Sequence, residues 1–489
     1  MEIEFKFQIP AERLAGVAQA LQAGDTRRQR LQARYFDTAD GALAAQGAVL
    51  RLRKEGRHWV QTAKALGEGP VHRLEHNVAL GAATPAIVQP ELHAGTPAGD
   101  RLRQALAGRS GALLEVYGTD IRRTTRVVAH GASRIELALD EGHVTAPPAR
   151  RAAVCELELE LLEGEVADLA ALAGQWAREH GLWFSTVSKA ERGLRLARDL
   201  ATGPAVKARP PDPGGGMPGG AALQQAVLRA CLAQILPNAS EVAAGSDEAE
   251  HIHQLRVGLR RLRTALRELA PLGPHLPAHW QAPLREAFAA LGARRDRQLL
   301  QAVVVPQLRA AGGPALALEG DDLAPAAGPV VRGEALQAVL VKAIGAAAGP
   351  AGAGMAPQAV RRHLKRRLDR LHAGLLHEGR HFDALPPERQ HALRKRLKRL
   401  RYLAEFAGPV FGAGGAERFA RLLAPAQDAL GACLDEQVAL AACRTLAARV
   451  PEAWFAVGWL QARQTQLARA GRKALRALGG APRFWKKKG

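Results

Sequence analysis

Several short patterns in this chain concentrate ionisable groups at a spacing of two. Glu2, Glu4 and Lys6 alternate with Ile3, Phe5 and Phe7; Glu156, Glu158 and Glu160 alternate with Leu157, Leu159 and Leu161; Arg51 and Arg53 alternate with Leu50 and Leu52. A period of two is that of a β-strand, so each pattern puts its charges on one face and its apolar groups on the other. Taken alone, the first reads as an edge strand with a solvated face. Solvated faces mix Thr, Ser, Gln and Lys, however, and these hold almost only Glu, Asp, Arg and Lys. Thr62 with Lys64, Arg73 with Glu75 and Asn77, and Arg134 with Glu136 and Asp140 extend the set. If such strands close with their charged faces inward, carboxylates gather in one space opposite guanidinium and ammonium groups. Crowded carboxylates repel unless a cation neutralises them, and hard oxygen ligands suit Mg2+ or Mn2+. The basic groups call for anions, and a chain of phosphates supplies several at once. Metal plus guanidinium acting on a phosphate chain is the chemistry of phosphoryl transfer.

The elements that must hold these groups are legible from texture. With 489 residues the chain has room for two or three domains. Residues 1–202 are strand-like: VLRLRKEG, HWVQTAKAL, HRLEHNVAL, SRIELALDEG and VCELELELLEG all alternate polar with apolar residues. Helical patterns cover 11–24 and 166–181, the second closing on Gly181 as a helix C-terminus should. Antiparallel strands with a few helices predict an α+β domain built as a closed barrel. Residues 203–221, GPAVKARPPDPGGGMPGGA, are too rich in Pro and Gly for helix or strand and predict a linker. Residues 222–480 are helical in texture and end in a basic tail, 481–489. A loop-rich stretch starting at Ala311 interrupts that region.

At this point the residues resemble a known family. Glu2-x-Glu4-x-Lys6 is similar to the ExExK signature of the CYTH superfamily, the triphosphate tunnel metalloenzymes. YFDT at 35–38, LRLR with Arg51 and Arg53, Lys64 after Thr62, RLE with Arg73 and Glu75, IELALDEG with Glu136 and Asp140, ELELEL, and SKAERG with Lys189 and Arg192 follow in order. The resemblance implies an eight-stranded antiparallel tunnel that binds a triphosphate and divalent metal. Carried over by position, Glu2, Glu4, Glu156, Glu158 and Glu160 are the metal-side residues. Lys6, Arg51, Arg53, Lys64, Arg73, Arg123 and Lys189 are the phosphate-side residues, and Glu4, Lys6 and Glu158 are placed in catalysis. Arg123 and Arg126 fall on opposite faces of a regular strand; Arg123 is the one assigned inward. Asn77 stands where many members carry Glu and takes no role. The expected reaction is metal-assisted in-line hydrolysis of inorganic triphosphate with Mg2+ or Mn2+, and the Ile3, Phe5, Phe7 face becomes outer packing surface. Adenylate cyclase and thiamine triphosphatase chemistry are the alternatives within the family.

The charge is divided unevenly. Residues 1–200 carry 26 Lys and Arg against 25 Asp and Glu, while the remainder carries 42 against 22, giving most of the net +21. An excess of that size points to a polyanionic partner. His253, Arg256, Arg260, Arg263 and Arg267 step by three and four along one helix face, opposite Leu255, Leu259, Leu262, Leu266 and Leu269. His391, Arg394, Lys398 and Arg401 repeat the first four positions 138 residues later, and LGARRD at 291–296 is echoed by LGACLD at 430–435. The second part is therefore an internal duplication. A stripe of nearly pure cation lacks the interleaved Glu of a solvated face and repels itself without a partner. The duplicated His-x-x-Arg helix followed by LG…D resembles the CHAD domain. That resemblance implies two duplicated four-helix bundles around a basic groove, with inorganic polyphosphate bound by His253, Arg256, Arg260, Arg263, His391, Arg394, Lys398 and Arg401. A domain that binds polyphosphate would place the enzyme on polyphosphate granules or near chain ends.

Other readings fall away or stay as rivals. Aromatic residues are 4% of the chain, which argues against single-stranded nucleic acid, where bases stack on rings. A polyphosphate-sensing scaffold and a basic RNA-binding protein remain as rivals from other classes. Cys155, Cys231, Cys433 and Cys443 form no CxxC pair, so neither a disulfide framework nor a zinc site is expected. HEGRH at 377–381 has the spacing of a zinc-protease motif, but Gly379 lies inside the helical turn it needs and Pro386 and Pro387 follow. GAGG at 412–415 follows no βαβ signal and reads as a loop. Charged residues follow Met1 at once and no apolar run reaches about 18 residues. No membrane association is expected, and the cytoplasm is the expected compartment.

Overall fold

The structure is a computed structural model that describes residues 2–67, 72–83, 87–109, 112–299, 304–314 and 326–486, without the side chains of Glu2, Leu66, Arg73 and residues 293–299. Part of the loop-rich stretch after Ala311, and the last residues of the basic tail, lie outside the described residues.

Nine strands form one sheet: β1 (Glu2–Gln8), β2 (Arg27–Asp37), β3 (Ala48–Glu55), β4 (His58–Leu66), β5 (His72–Gly81), β6 (Leu114–His130), β7 (Ser133–Ala146), β8 (Arg150–Glu163) and β9 (Trp183–Phe184). Their order is β5-β4-β3-β2-β6-β7-β8-β1-β9, and an additional β5–β1 pairing, with Glu2 opposite Arg73, joins the two ends. Eight strands therefore close into a ring, all neighbours antiparallel, and the short β9 hangs outside on β1. Closure removes the sheet's edges and turns one face of every strand into a lumen.

The alternation sets which face that is. Leu50, Leu52 and Ala63 point outward and pack at 0% exposure beneath the helix α3 (Pro97–Leu106). Phe5, Phe7, Leu157 and Leu159 are also fully covered, with Phe184 edge-on to both phenylalanines. Here the cover is α4 (Val166–His180), an amphipathic helix that ends on Gly181 at φ 63°, a conformation glycine adopts without strain. With these apolar groups outside, Glu4, Lys6, Arg51, Arg53, Lys64, Arg123, Glu156, Glu158 and Glu160 share the inner face. Two shorter helices precede these, α1 (Leu14–Leu21) and α2 (Ala42–Ala45). A further helix, α5 (Lys189–Ala197), is capped by Ser188 and packs against β6, β7 and β8.

The rest of the described chain is helical: α6 (Gly220–Ala243), α7 (Ala249–Glu268), α8 (Gln281–Leu299), α9 (Val305–Ala310), α10 (Ala327–Arg332), α11 (Glu334–Ala348), α12 (Pro357–Gly379), α13 (Pro387–Phe406), α14 (Gly408–Phe411), α15 (Ala413–Ala447) and α16 (Ala453–Ala477). No described helix is long and apolar enough to cross a membrane. The GAGG stretch is not a loop throughout: Gly412, at φ 106°, precedes α15, and Ala413–Gly415 already form its first turn.

The chain divides into two compact units. One comprises Met1–Lys207, Leu232–Asp247 and Val331–Pro350; the other comprises Ala208–Cys231, Glu248–Val330 and Ala351–Gly489. Two segments that the sequence placed in the helical domain thus pack with the tunnel. α11 lies across α4, and a Cβ on Gly345 would come within 2.6 Å of the Ala170 methyl. α11 is apolar on most of its surface, with Leu336, Val339, Leu340, Val341, Ala343, Ile344 and Ala347 all buried. Such a helix needs cover on more than one side.

In the other unit the duplication is visible as a repeated helix contact. The Arg256 guanidinium of α7 stands 3.3 Å from where a Cβ would sit on Gly292 of α8, and Arg394 of α13 stands 3.5 Å from the same point on Gly431 of α15. α7 and α13 are also tied to each other: Arg261 binds Glu405 at 2.5 Å, and Arg399 lies 3.8 Å from Glu268.

Candidate active site in the tunnel

The site begins with strand register. Lys6 faces Glu158 and Gln8 faces Glu156 across β1–β8; Asp140 faces Glu156 across β7–β8; Arg123 faces Asp140 across β6–β7. Side chains directly opposite one another lie on the same face, so one band of the lumen collects all of these groups. Arg123 points inward, and its guanidinium donates to Asp140 at 2.7 and 2.6 Å and to Glu158 at 2.5 Å. Arg126 points away, with Nη1 donating to the Ala20 carbonyl.

Lys189 enters this band from the first turn of α5. Its ammonium lies 2.6 Å from Asp140, 2.5 Å from Glu156 and 2.8 Å from Glu158. Those three carboxylates can each bring an oxygen within 4.8 Å of the others, a metal-like spacing that no other such group among the described residues shows. The cation at their centre is the Lys189 ammonium. Burial works against that charge, but the three carboxylates outweigh it and hold the Lys189 pKa well above the ordinary lysine value. For Glu158, burial favours the neutral acid, yet Lys189, Arg123 and Lys6 hold its pKa well below the ordinary carboxylate range. Glu156, with 0% exposure, also accepts from Gln8, whose own oxygen accepts from Arg192.

The five acidic residues expected on the metal side thus divide. Glu156 and Glu158 belong to a band in which Lys189, Arg123 and Lys6 set three cations against three carboxylates. Glu4 and Glu160 stand opposite each other one step further along the lumen, and Glu136 faces Glu160 from the other side. All three of these are half-buried. Carboxylates on three neighbouring strands are hard oxygen donors of the kind that suit Mg2+, which takes one or two carboxylates plus substrate phosphates. The inner group already holds the Lys189 ammonium, so the residues present fit a divalent cation better at the outer row. The side chain of Glu2 lies outside the described residues, as does that of Arg73.

The opposite wall is basic. Arg51, Arg53 and Lys64 come from β3 and β4, where Arg51 faces Thr62 and Tyr35. Lys64 pairs with Glu75, and Arg53 donates to Glu55 at 2.6 Å. Arg51 is different. Its Nη1 reaches only the Tyr35 hydroxyl at 3.5 Å and its nearest carboxylate, Glu75, is 4.0 Å away. The Arg51 Nε and Nη2 are buried and make no hydrogen bond. Burial disfavours the Arg51 charge and Arg123 opposes it, while Tyr35 and Glu75 support it. Lys6, 6% exposed, has its pKa pushed down by burial and further by Lys189, with Glu156, Glu4 and Glu158 holding part of it back.

Beyond Arg51 the lumen turns apolar. Tyr35 stacks on Tyr117 at 4.7 Å, and Leu31, Ala33, Ile121, Val144, Ala146 and Val154 fill the space with Ala190 and Leu194 of α5. Gly193 of α5 sits so close to the Tyr117 ring that a Cβ there would come within 2.0 Å of it. The sequence missed Asp140 as a member of the inner band, as well as Gln8 and Arg192. Asp140 was visible on the charged face of its strand, but nothing local said which carboxylates Lys189 would meet.

The helical candidates divide too. Arg256 is buried and donates to the Leu291 carbonyl. Arg256, Arg260 and Arg263 surround one ring, Phe288, at 4.8, 5.0 and 5.5 Å. Arg263 has its pKa lowered by burial and by Arg285 and Arg260, and its buried Nε makes no hydrogen bond. Arg394 is paired with Asp435 at 3.0 Å, His391 and Arg401 are exposed, and His253 and Lys398 are half-buried. The HEGRH stretch cannot present two ligands on one helix face: α12 stops at Gly379, His381 lies beyond it, and Glu378 is held by Arg389 and Arg396.

Comparison with known proteins agrees with this architecture. Residues 1–194 match the CYTH domain and residues 226–444 match the CHAD domain. An inorganic triphosphatase of Haemophilus influenzae is 32% identical over 168 residues, which is 33% of this chain and 44% of that protein. This chain therefore spans under half the length of that curated relative. Among solved structures, a Hippeastrum protein described as an adenylyl cyclase with a dominant triphosphatase activity aligns at 19% identity over 41% of this chain and 97% of that one, with a TM-score of 0.31. The CHAD domain of Ricinus communis aligns at 27% identity over 57% of this chain and 96% of that one, with a TM-score of 0.42. The closed antiparallel sheet and the helical region after it are accounted for together: the chain carries a CYTH domain at residues 1–194 and a CHAD domain at residues 226–444.

Proposed function

We propose that the tunnel hydrolyses inorganic triphosphate to diphosphate and phosphate. The observation that carries this is Arg51: a guanidinium inside the lumen with two buried nitrogens that make no hydrogen bond. Leaving such donors unsatisfied is costly, and an acceptor-only ligand with many oxygens satisfies them. The curated relative named an inorganic triphosphatase supports the same reading.

In this mechanism Arg51, Arg53 and Lys64 on one wall, with Lys6 and Arg73, donate to the phosphate oxygens. Arg123 and Lys189 serve at one remove, fixing the inner carboxylates. Glu4, Glu136 and Glu160, with Glu2, hold the divalent cation, Mg2+ or Mn2+. When bound, that ion neutralises phosphate oxygens and the charge that develops on the leaving diphosphate. Glu158 accepts from Lys189 and Arg123 and is a weak base, so Glu4 orients the attacking water and receives its proton. The water oxygen forms a bond to the terminal phosphorus as the bond from that phosphorus to the bridging oxygen breaks, and diphosphate leaves with the electron pair. Lys6, directly across from Glu158 on the lumen face, stabilises the departing oxygens. The apolar fill around Tyr35 and Tyr117 leaves no place at that end for a nucleoside or thiamine group, which favours inorganic triphosphate over the organic alternatives.

Phosphate release from tripolyphosphate, ATP, thiamine triphosphate and long-chain polyphosphate, each with Mg2+ and with Mn2+, tests this. Fastest release from tripolyphosphate is expected; preference for ATP or thiamine triphosphate overturns it.

For the helical unit we propose binding of inorganic polyphosphate. The three guanidiniums crowded on Phe288, with the Arg263 Nε unsatisfied, support a polyanionic ligand there. Competition between long-chain polyphosphate and RNA for the protein tests it, with polyphosphate expected to displace RNA and the reverse result sinking the proposal.

A further inference from the structure

The position of Lys189 is unusually demanding. Its ammonium must reach three carboxylates at 2.5–2.8 Å from a helix that is itself only nine residues long. Part of what holds that helix lies within the compact unit of the tunnel but falls, in sequence, inside the segment matched to the CHAD domain.

Three ties bracket Lys189. Before it, the Phe184 N–H donates to the Gln337 side-chain oxygen of α11 at 2.9 Å, and Gln337 is itself fixed by donating to the Val331 carbonyl at 2.8 Å. Next, the Thr186 N–H donates to Ser240 Oγ of α6 at 3.0 Å, one residue after Ser185 N–H binds the Lys6 carbonyl at 2.9 Å. After it, Arg195 of α5 forms an ion pair with Glu241 of α6, whose side chain is 8% exposed. Glu191 shares the same Arg195 guanidinium. Close by, Asn238 of α6 both donates to and accepts from the Val206 backbone, which fixes the chain leaving α5. A partly buried ion pair between two helices resists displacement of either, because separating the charges leaves each unpaired in a poorly solvated place.

We infer that Glu241, with Ser240 and Gln337, are positioning residues for the tunnel: they hold α5 so that Lys189 fills the Asp140–Glu156–Glu158 band. The CHAD-matched segment thus supplies part of the machinery that sets the CYTH site. This rests on the tunnel reading for its kinetic consequence but not for its structural one. With Lys189 seated among the inner carboxylates, the residues that would hold a divalent cation are those of the outer row. With α5 loosened, the inner carboxylates lose their fixed counter-ion and the lumen its fixed geometry. A misplacement of about 1 Å at such a site costs up to about 100-fold in rate.

The test uses the full-length chain with E241A, E241Q (which keeps the volume), E241D (which keeps the charge) and K189M. Amide exchange read by mass spectrometry over residues 189–198 is expected to quicken about tenfold in E241A and E241Q while β7 and β8 stay protected, and E241D is expected to restore protection. In tripolyphosphate hydrolysis E241A is expected to lose about tenfold in kcat, with no further loss when added to K189M, because both act through the same ammonium. Unchanged exchange over 189–198, or the full E241A loss persisting on top of K189M, overturns the inference. A wild-type protein that does not hydrolyse tripolyphosphate sinks the functional reading instead, and the exchange result still decides whether Glu241 holds α5.

Discussion

The tunnel and the helical unit both concentrate arginine and lysine, but they neutralise them differently. In the tunnel, cations stand among carboxylates placed by strand register: Lys189 and Arg123 among Asp140, Glu156 and Glu158, and Lys64 beside Glu75. In the helical unit, three arginines of one stripe share the face of a ring, Phe288. A site whose cations stand among carboxylates is pH-sensitive, because each proton matters. Cations gathered along a helix stripe respond mainly to charge density, and salt screens them where they are exposed. On the functions proposed above, the first arrangement matches a small, defined anion and the second a long polyanion.

The comparison can be broken at several points. The largest effect is expected from ending the chain at residue 202, which removes α11 and the end of α6 from the tunnel's own compact unit. Val339, Leu340, Val341 and Ile344 are all within 4% exposure, and each such side chain contributes roughly 1.5–3 kcal/mol on burial. Calorimetry of the truncated protein should show a Tm lower by about 10 °C or more, or no cooperative transition. A Tm equal to that of the full chain would mean the tunnel is self-sufficient.

Next comes R51M, which removes two lumen donors that make no hydrogen bond among the described residues. A loss of about 100- to 1,000-fold in kcat/KM for tripolyphosphate is expected, the usual magnitude for one fixed donor to developing charge, with little change in Tm. Wild-type activity in R51M would remove Arg51 from the phosphate wall.

The pH dependence separates the two units further. The Glu158 pKa is held well below its unfolded value, so its contribution to stability is present above about pH 4.3 and is lost as pH falls through the depressed folded value. The Lys189 pKa is raised well above its unfolded value, so its contribution is present below about pH 10.4 and is lost as pH rises through the raised one. Urea midpoints between pH 3 and 7 should therefore fall steeply only at the acid end. In K189M the acid fall should be smaller, because losing its main counter-charge lets the folded-state Glu158 pKa rise toward the unfolded value and less stability is lost on protonation. Coincident acid profiles would contradict the assignment.

The smallest effect is expected in the helical unit. R263A should weaken binding of long-chain polyphosphate modestly and reduce the salt dependence by roughly one counter-ion's worth, by analogy with nucleic-acid phosphates. Tripolyphosphate hydrolysis should be unaffected. An unchanged salt slope would place the polyanion elsewhere.

Much of the fold was legible because its signals are local. The alternation of Glu4 and Lys6 with Phe5 and Phe7 gave both the strand and its inner face, and Gly181 ended α4 where the pattern said it should. The 138-residue displacement of His253–Arg263 onto His391–Arg401 found the repeat that reappears as Arg256 over Gly292 and Arg394 over Gly431. The assignment of segments to units was not legible. α11 is buried almost all round, which says that it needs cover but not from which part of the chain. The inner band was half legible: its residues stood on charged faces, but the partner of each did not.

What the sequence by itself determined, then, is the set of elements and the faces they present, since a period of two or of three to four residues is written along the chain. Only the tertiary structure decided that Arg123 rather than Arg126 turns into the lumen, that Lys189 sits among Asp140, Glu156 and Glu158, and that Glu241 pairs with Arg195 of α5. These depend on strand register, closure and helix docking between residues far apart in the chain. Coulomb interactions at 2.5–4 Å are decided by where side chains meet, and no local pattern encodes that meeting.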